Sequence, residues 1–547
     1  MVDVSSRVAQ MRVMVERGNY FCMNRARQYG KTTSLAALER ALAGDYTVVS
    51  LDFQGLSHAD FATEGAFASA FAQTLLDRHE GDLPEATSDA LEDFADRDSD
   101  SHSLRRLFRA LRRWLGASQR PVVLIIDEVD SATNNQVFLD FLAQLRLQYL
   151  DRAKNPSSPA FRSVVLAGVT DVKHLKNKIR PNGEHTTNSP WNIAADFDVV
   201  MSFDATDVAG MLTTYDADHA SGMDVDAVAE EVVAWTGGYP FLVSRVCQLV
   251  DKHALGWNRD GVDAAVRVLL KDDDVSLFES LTDKLEVYPV LKEQLRSMPM
   301  RGEQITYLPY DETQKQLRIY GFATERGGRL VIANRIFESL LYDQFIGEKR
   351  SGDDGFFRAG DLGRNLFVDD GRLDMCAVLE GFRRTYVEVY GPPEKSNRFA
   401  ERDGRELFLM YLKPIINGTG NYCVEAQTRD QTRTDVIVDY AGERFVVELK
   451  VWRGPRYNEA GERQVAGYLE HFGLDVGHLE RERQVAGYLE HFGLGVGHLE
   501  RERQVAGYLE HFGLGVGYML SFSFNQRKEP GLRRVTVGDK ILWEETV

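Results

Sequence analysis

Cysteine is scarce. The four in 547 residues, at Cys22, Cys247, Cys376 and Cys423, are too few and too scattered for a disulfide scaffold, and no two have zinc-site spacing. Long apolar runs are missing too. None approaches the ~20 residues needed to cross a bilayer, and those that occur, such as Val122–Ile126 and Phe445–Val447, are the length of strands. The opening MVDVSSRVAQMRVMVERG has no apolar signal-peptide core, so a cytoplasmic protein with no membrane partner is expected. Basic charge is in deficit. The 65 Lys+Arg against 83 Asp+Glu leave a net −18, which argues against a protein that coats nucleic acid with its whole surface but leaves room for a basic cleft. With 43% hydrophobic and 27% charged residues the chain is ordinary globular material, which excludes a disordered polymer. At about 150 residues per domain, its length predicts three or four domains.

The first third carries a phosphate-binding pattern. Tyr20–Asn24 reads as a strand that runs into Arg25-Ala26-Arg27-Gln28-Tyr29-Gly30-Lys31-Thr32-Thr33, and a helix pattern follows with Leu35, Leu38 and Leu42 at helical spacing. Strand, tight loop, Gly-Lys-Thr and helix are what a P-loop requires: loop amides and the positive helix end cradle phosphates, Lys31 reaches the terminal ones, and Thr32 offers a hydroxyl to Mg²⁺. Arg25 stands where the consensus has its first glycine. A second motif supports the first. Val122-Val123-Leu124-Ile125-Ile126 reads as a buried parallel strand ending in Asp127-Glu128. Acids at the carboxyl end of such a strand face the crevice where open α/β sheets bind ligands. Asp127 would hold the hydrated Mg²⁺, and Glu128 would orient or deprotonate a water. Tyr46–Phe53 and Ser163–Ala167 read as further strands, the second leading to Thr170, placed to sense a γ-phosphate. Pro84–Asp100 reads as an exposed loop or weak helix.

Tyr20 through Thr33, Leu51-Asp52-Phe53-Gln54, Ile126-Asp127-Glu128-Val129-Asp130 and Asn188-Ser189-Pro190-Trp191-Asn192-Ile193 resemble the AAA-like, signalling-type P-loop ATPases that open many bacterial multidomain proteins. The lid and winged-helix region of that group is matched by Trp235-Thr236-Gly237-Gly238-Tyr239-Pro240-Phe241-Leu242-Val243 and by Val331-Ile332-Ala333-Asn334-Arg335-Ile336-Phe337. The resemblance implies ATP bound by Arg25, Gly30, Lys31, Thr32, Thr33, Asp127 and Thr170. Independently, Val225–Trp235 and Phe241–His253 read as apolar-faced helices, Thr313–Tyr320 as a helix, and the residues around Gly327-Gly328 as a hairpin. Such a wing can bind DNA, but this block is not strongly basic, which favours an intramolecular or protein contact. Gly347–Arg364 reads as a linker.

In the last third, Thr434–Tyr440 and Glu443–Val451 read as a hairpin around Ala441-Gly442. A two-residue loop pairs each residue i with 883 − i, which sets Asp435 opposite Glu448. Opposed residues lie about 5 Å apart on one face, and Lys450 shares that face. Two carboxylates so placed call for a cation between them. Asp…Glu-x-Lys resembles the PD-(D/E)XK nuclease family, over Glu401 to Phe524. That resemblance implies Asp435 and Glu448 as metal ligands, Lys450 as the residue positioning the attacking water, Glu401 or Glu406 completing the site, and Gln464 reaching back from a helix. The metal would be Mg²⁺, with Mn²⁺ also suited to an all-oxygen site.

Three near-identical units at 463–480, 483–500 and 503–520 repeat Arg-Gln-Val-Ala-Gly-Tyr-Leu-Glu-His-Phe-Gly-Leu with a 20-residue period. They look like a recent duplication, not a solenoid, and which copy fills the nuclease position stays open. The expected class is α/β: a P-loop NTPase core (1–200), a helical lid and winged-helix-like block (201–345), a linker and helix (346–395), and an α/β PD-(D/E)XK nuclease-like domain (396–547). The expected function is an ATPase with a metal-dependent nuclease, acting on DNA or RNA under nucleotide control. The alternative is a non-cleaving ATP-dependent switch or scaffold whose C-terminal domain binds a protein or nucleic acid. Self-association as a homo-oligomer stays open.

Overall fold

In the computed structural model the described residues are 2–79, 83–94, 102–169, 172, 191–272, 274–301, 305–350, 355–369, 371–390, 401–416, 419–424, 436–441, 443–452, 516–523, 531–537 and 540–547. The chain forms two compact units, Met1–Leu291 with Thr306–Asn334, and Lys292–Ile305 with Arg335–Val547.

The first unit begins with alternating elements: α1 (Ser5–Glu16), β1 (Phe21–Asn24), α2 (Lys31–Leu42), β2 (Thr47–Asp52), α3 (Glu64–His79), α4 (Glu85–Glu92), α5 (Leu104–Ala117), β3 (Val122–Asp127), α6 (Gln136–Lys154) and β4 (Ser163–Gly168). The strands are parallel, in the order β1-β4-β3-β2. Strand β3 shows why its sequence has no polar alternation. Val122, Leu124 and Ile126 enter one core with Tyr20, Leu51 and Phe141, while Val123 and Ile125 enter another with Met11, Leu35 and Leu38. Both faces are covered, so both need apolar residues. Beside β1, the Ala195 amide donates to the Tyr20 carbonyl at 2.7 Å, and the chain continues past buried Val199 and Met201.

Helices α7 (Ala205–His219), α8 (Val225–Thr236), α9 (Pro240–Lys252), α10 (Arg259–Leu270) and α11 (Ser276–Val287) follow, and then α12 (Pro289–Arg301), whose residues from Lys292 on belong to the second unit. Asp204, Asp224 and Asn258 accept hydrogen bonds from the first turns of α7, α8 and α10, which fixes where those helices begin. Strand β5 (Ile305–Thr306), α13 (Glu312–Ile319), β6 (Ala323–Arg326) and β7 (Arg329–Ile332) come next, with β6 and β7 antiparallel. Arg326 pairs with Arg329, and both intervening glycines have positive φ, as a two-residue hairpin loop of this hand demands.

The second unit holds α14 (Arg335–Arg350), α15 (Gly355–Phe367), the short ladder β8 (Val368–Asp369) and β9 (Arg372–Leu373), α16 (Met375–Tyr390) and α17 (Glu401–Ile416). Then come β10 (Gly420–Val424), β11 (Val436–Tyr440), β12 (Glu443–Trp452), β13 (Val516–Ser523), β14 (Gly531–Val537) and β15 (Lys540–Thr546). These six strands form one sheet, β10-β11-β12-β13-β15-β14. Its first three strands and its β14–β15 edge are antiparallel, while β12, β13 and β15 run parallel. Helix α17 packs on β12, and α16 packs on β13 and β15. Inside β15, Glu544 and Glu545 are wholly buried. The Ser521 hydroxyl donates to Glu544 Oε1 at 2.7 Å and Arg533 pairs with the same carboxylate, while Arg383 Nε lies 2.7 Å from Glu545 Oε1. Burial pushes the Glu545 carboxyl up to about 7, against the pull of Arg383.

Two expectations are corrected. Gly347–Arg364 is not a linker where it is described: α14 runs through it to Arg350, and α15 resumes at Gly355. One of its glycines serves close packing. A side chain at Gly360 would run into the Tyr411 carbonyl of α17, and Phe356 is fully buried with its ring 5.7 Å from that of Phe382. Within Pro84–Asp100 the helix of the two alternatives forms, as α4, and the correction is to its exposure: Leu91 and Phe94 are buried and outweigh the polar composition around them.

Candidate functional site

After β1 the chain turns through Arg25–Gly30 into α2. Gly30 caps that helix at φ +76, a left-handed conformation that costs glycine little. Gln28 adopts a similar conformation (φ 56) against its preference, and its side-chain amide donates to Ser276 Oγ at 3.0 Å. Lys31 is buried, and its ammonium donates to the carbonyls of Arg25 (3.2 Å) and Ala26 (3.1 Å). Burial holds its pKa below the ordinary lysine value, opposed by Glu128, Asp130 and Asp127.

Strand β3 delivers the acids. The Thr32 hydroxyl donates to Asp127 Oδ2 at 2.7 Å, and Asp127 Oδ1 accepts the Glu128 amide at 2.9 Å. Glu128 is left-handed (φ 54) and half-buried; burial raises its carboxyl, opposed by Lys31. Strand β4 lies between β1 and β3, and its end must pass under this cluster. Gly168 makes that possible, since a Cβ there would lie 3.0 Å from Val129 Cγ2 and 3.1 Å from Asp130 Oδ2. Asp130 Oδ2 in turn accepts the Val169 amide at 2.7 Å.

The structure therefore gathers Gly30, Lys31, Thr32, Asp127 and Glu128, with Thr33 exposed on the first turn of α2. Arg25 departs from the expected role. Its guanidinium donates to the carbonyls of Asn24 (2.9 Å) and Val199 (3.0 Å) and lies 5.2 Å from the Phe197 ring centre, so it ties the loop to the chain flanking β1. Thr170 lies outside the described residues.

Sequence reasoning missed what touches the loop. The Tyr239 hydroxyl, just before α9, donates to the Arg27 carbonyl, and the Tyr239 ring meets that of Tyr29 edge-on at 4.6 Å. Ser276 and Ser280 of α11 meet Gln28 and Arg27. Gly321, at φ +81 after α13, leaves room for Ala26, whose Cβ lies 2.8 Å from where its own would be. The Gly237-Gly238-Tyr239-Pro240 run was the available signal: Gly238 sits against the Phe203 backbone, and Pro240 opens α9.

In the second unit, β11 and β12 pair from Tyr440↔Glu443 to Val436↔Val447, the register expected from an Ala441-Gly442 loop. Asp435 lies one residue beyond the last described pair, and Gln464 and the repeats also fall outside the described residues. Glu448 and Lys450 pair through the backbone with Met519 and Ser521 of β13; their side chains, like that of Glu401, are outside the description. Glu406 is half-buried on α17. Among the described residues, no group of three or more His, Cys, Asp or Glu is arranged to hold a metal ion. No helix among them is long and apolar enough to cross a membrane.

The family described as AAA-like domain matches residues 5–259. Over 251 residues the chain is 25% identical to an uncharacterized WD repeat-containing protein of Synechocystis sp., covering 42% of this chain. The chain spans about a fifth (20%) of the length of that curated relative. Among solved structures it is similar to a Walker-type ATPase of Pyrococcus abyssi, at 15% identity and TM-score 0.44, over 62% of this chain and 96% of that one. It is also similar to the Aeropyrum pernix ORC1 protein in complex with DNA, at 13% identity and TM-score 0.30, over 64% and 94%. The chain thus carries an AAA-like ATPase domain with a P-loop fold.

Proposed function

We propose that this protein is an ATP-dependent switch. Nucleotide at the Lys31–Asp127 site sets the arrangement of the elements that touch the loop, and the C-terminal α/β unit docks a protein or nucleic-acid partner. The observation that carries this reading is the convergence of Tyr239, Ser276, Ser280 and Gly321 on the Arg25–Gly30 loop. A loop gripped from several elements cannot change its contents without changing its contacts.

The residues present fit ATP. The α2 N-terminus with Gly30 and Thr33 suits phosphate oxygens, and Lys31 exchanges two carbonyl bonds for a phosphate. Thr32 and Asp127, already 2.7 Å apart, would hold Mg²⁺ with water and phosphate oxygens, where the ion neutralises charge on the triphosphate. Glu128 orients the water, and Thr170 is assigned to sensing the terminal phosphate.

A second reading rests on the β11–β12 register, Tyr440↔Glu443 to Val436↔Val447; one further pair would set Asp435 opposite Glu448. There, Asp435, Glu448 and Glu401 or Glu406 bind Mg²⁺ or Mn²⁺, while Lys450 and Gln464 complete a nuclease site for DNA or RNA. Hydrogen exchange of the intact protein, with and without ATP, tests the switch. Slower exchange is expected at residues 25–30, at Tyr239 and at Gly321; unchanged exchange at all three would end it. A parallel assay on DNA and RNA in Mg²⁺ or EDTA is expected to show no cleavage. Cleavage lost in EDTA and in Asp435→Ala would put the nuclease reading in its place.

A further inference from the structure

The loop contains two arginines, and the structure gives them opposite situations. Arg25 is committed to the Val199 and Asn24 carbonyls and to the Phe197 ring. Arg27 is exposed, and among the described residues its guanidinium makes one long contact, 3.4 Å to Ser280 Oγ. Its backbone is held all the same: the Tyr239 hydroxyl bonds its carbonyl, and Gly321 closes over the preceding Ala26. Lys31 Nζ rests on the Arg25 and Ala26 carbonyls, so the Arg27 side chain departs from the chain beside that ammonium.

We propose that Arg27 contacts the terminal phosphate of the bound nucleotide and gives this site its preference for a triphosphate over a diphosphate. This rests on the ATP reading of the site. The charge pattern supports the placement. Burial is the main influence on both Lys31 and Glu128, but Arg27 also acts on both, disfavouring the Lys31 ammonium and favouring the Glu128 carboxylate. A charge felt by both lies within electrostatic reach of the space between them. In a P-loop site that space belongs to the end of the phosphate chain, between the lysine that reaches it and the acid that orients water. A guanidinium suits this task because its planar fork matches phosphate oxygens and stays charged at any working pH. An exposed arginine with one weak contact gives up little to turn toward such a ligand.

The test uses the intact protein, Mg²⁺, ADP and a non-hydrolysable ATP analogue, with hydrolysis of ATP measured alongside. Removing a charge-assisted hydrogen bond weakens binding by about 10- to 100-fold. Arg27→Ala is expected to lose that much affinity for the analogue, to keep ADP affinity within about 3-fold, and to lower kcat/KM by at least the same factor. Arg27→Lys should fall between, because it keeps charge without the fork. Arg25→Ala should lower the melting temperature and leave the analogue-to-ADP ratio unchanged. The proposal is overturned if Arg27→Ala keeps the wild-type ratio, or if it weakens ADP and the analogue equally. A wild-type protein that binds neither nucleotide would sink the ATP reading itself, and this proposal with it.

Discussion

Each unit carries a pair of adjacent acids, and the two pairs live under different rules. Asp127-Glu128 sits at the carboxyl end of β3, where the sheet stops and a loop begins. Its partners are a hydroxyl, a main-chain amide and the nearby Lys31 ammonium. Glu544-Glu545 lies within β15, between β13 and β14, and successive residues there point to opposite faces. Each of those carboxylates is sealed from water and answered by an arginine, Arg533 for Glu544 and Arg383 for Glu545. An acid at a strand end keeps part of its surface for a ligand. Within the strand it spends its charge on the protein, and burial lifts its pKa.

Neutralising one acid of each pair sharpens the contrast. The larger effect is expected from Glu128→Gln. On the proposed role of Glu128 in orienting or deprotonating water, its loss should cut ATP hydrolysis by about 100-fold or more, with binding of ATP and the melting temperature close to wild type. A steady-state hydrolysis assay beside a thermal melt checks both. Equal rates would make the strand-end acid structural after all.

Glu545→Gln should do the reverse, leaving hydrolysis alone and changing how stability depends on pH. Its folded pKa of about 7 stands above the ordinary 4.5, so between those values the folded protein binds the extra proton. Stability therefore falls as pH rises through that window and levels off above it. A tenfold change in proton affinity between the folded and unfolded chain is worth about 1.4 kcal/mol. The glutamine variant should therefore be more stable than wild type by roughly 1–3 kcal/mol at pH 8 and little different at pH 5. Denaturant melts at the two pH values measure it. The same gap at both would mean that Glu545 is ionised throughout.

The strand-end pair was legible in the sequence because its signal is local. An unbroken apolar run with two acids after it has few other meanings, and Gly30-Lys31-Thr32 lies in the right order before it. The Tyr440↔Glu443 register was legible for the same reason, since a two-residue turn fixes it. What stayed hidden depends on distant residues. Glycine in Gly347–Arg364 reads as flexibility until Tyr411 is seen against Gly360. Arg25 and Arg27 look alike in a string, and only Val199, Phe197 and Ser280, far along the chain, tell them apart. Glu544-Glu545 near the end of the chain reads as surface charge until Arg383 and Arg533 are placed beside it.

Calorimetric titration of Mg²⁺-ATP into the wild-type protein and into Lys31→Ala tests the nucleotide site most directly. Saturable binding with one ATP per chain is expected for the wild type, weakened about 100-fold or more when the buried ammonium is removed. No heat of binding in the wild type, or equal affinity in the two proteins, would contradict the account.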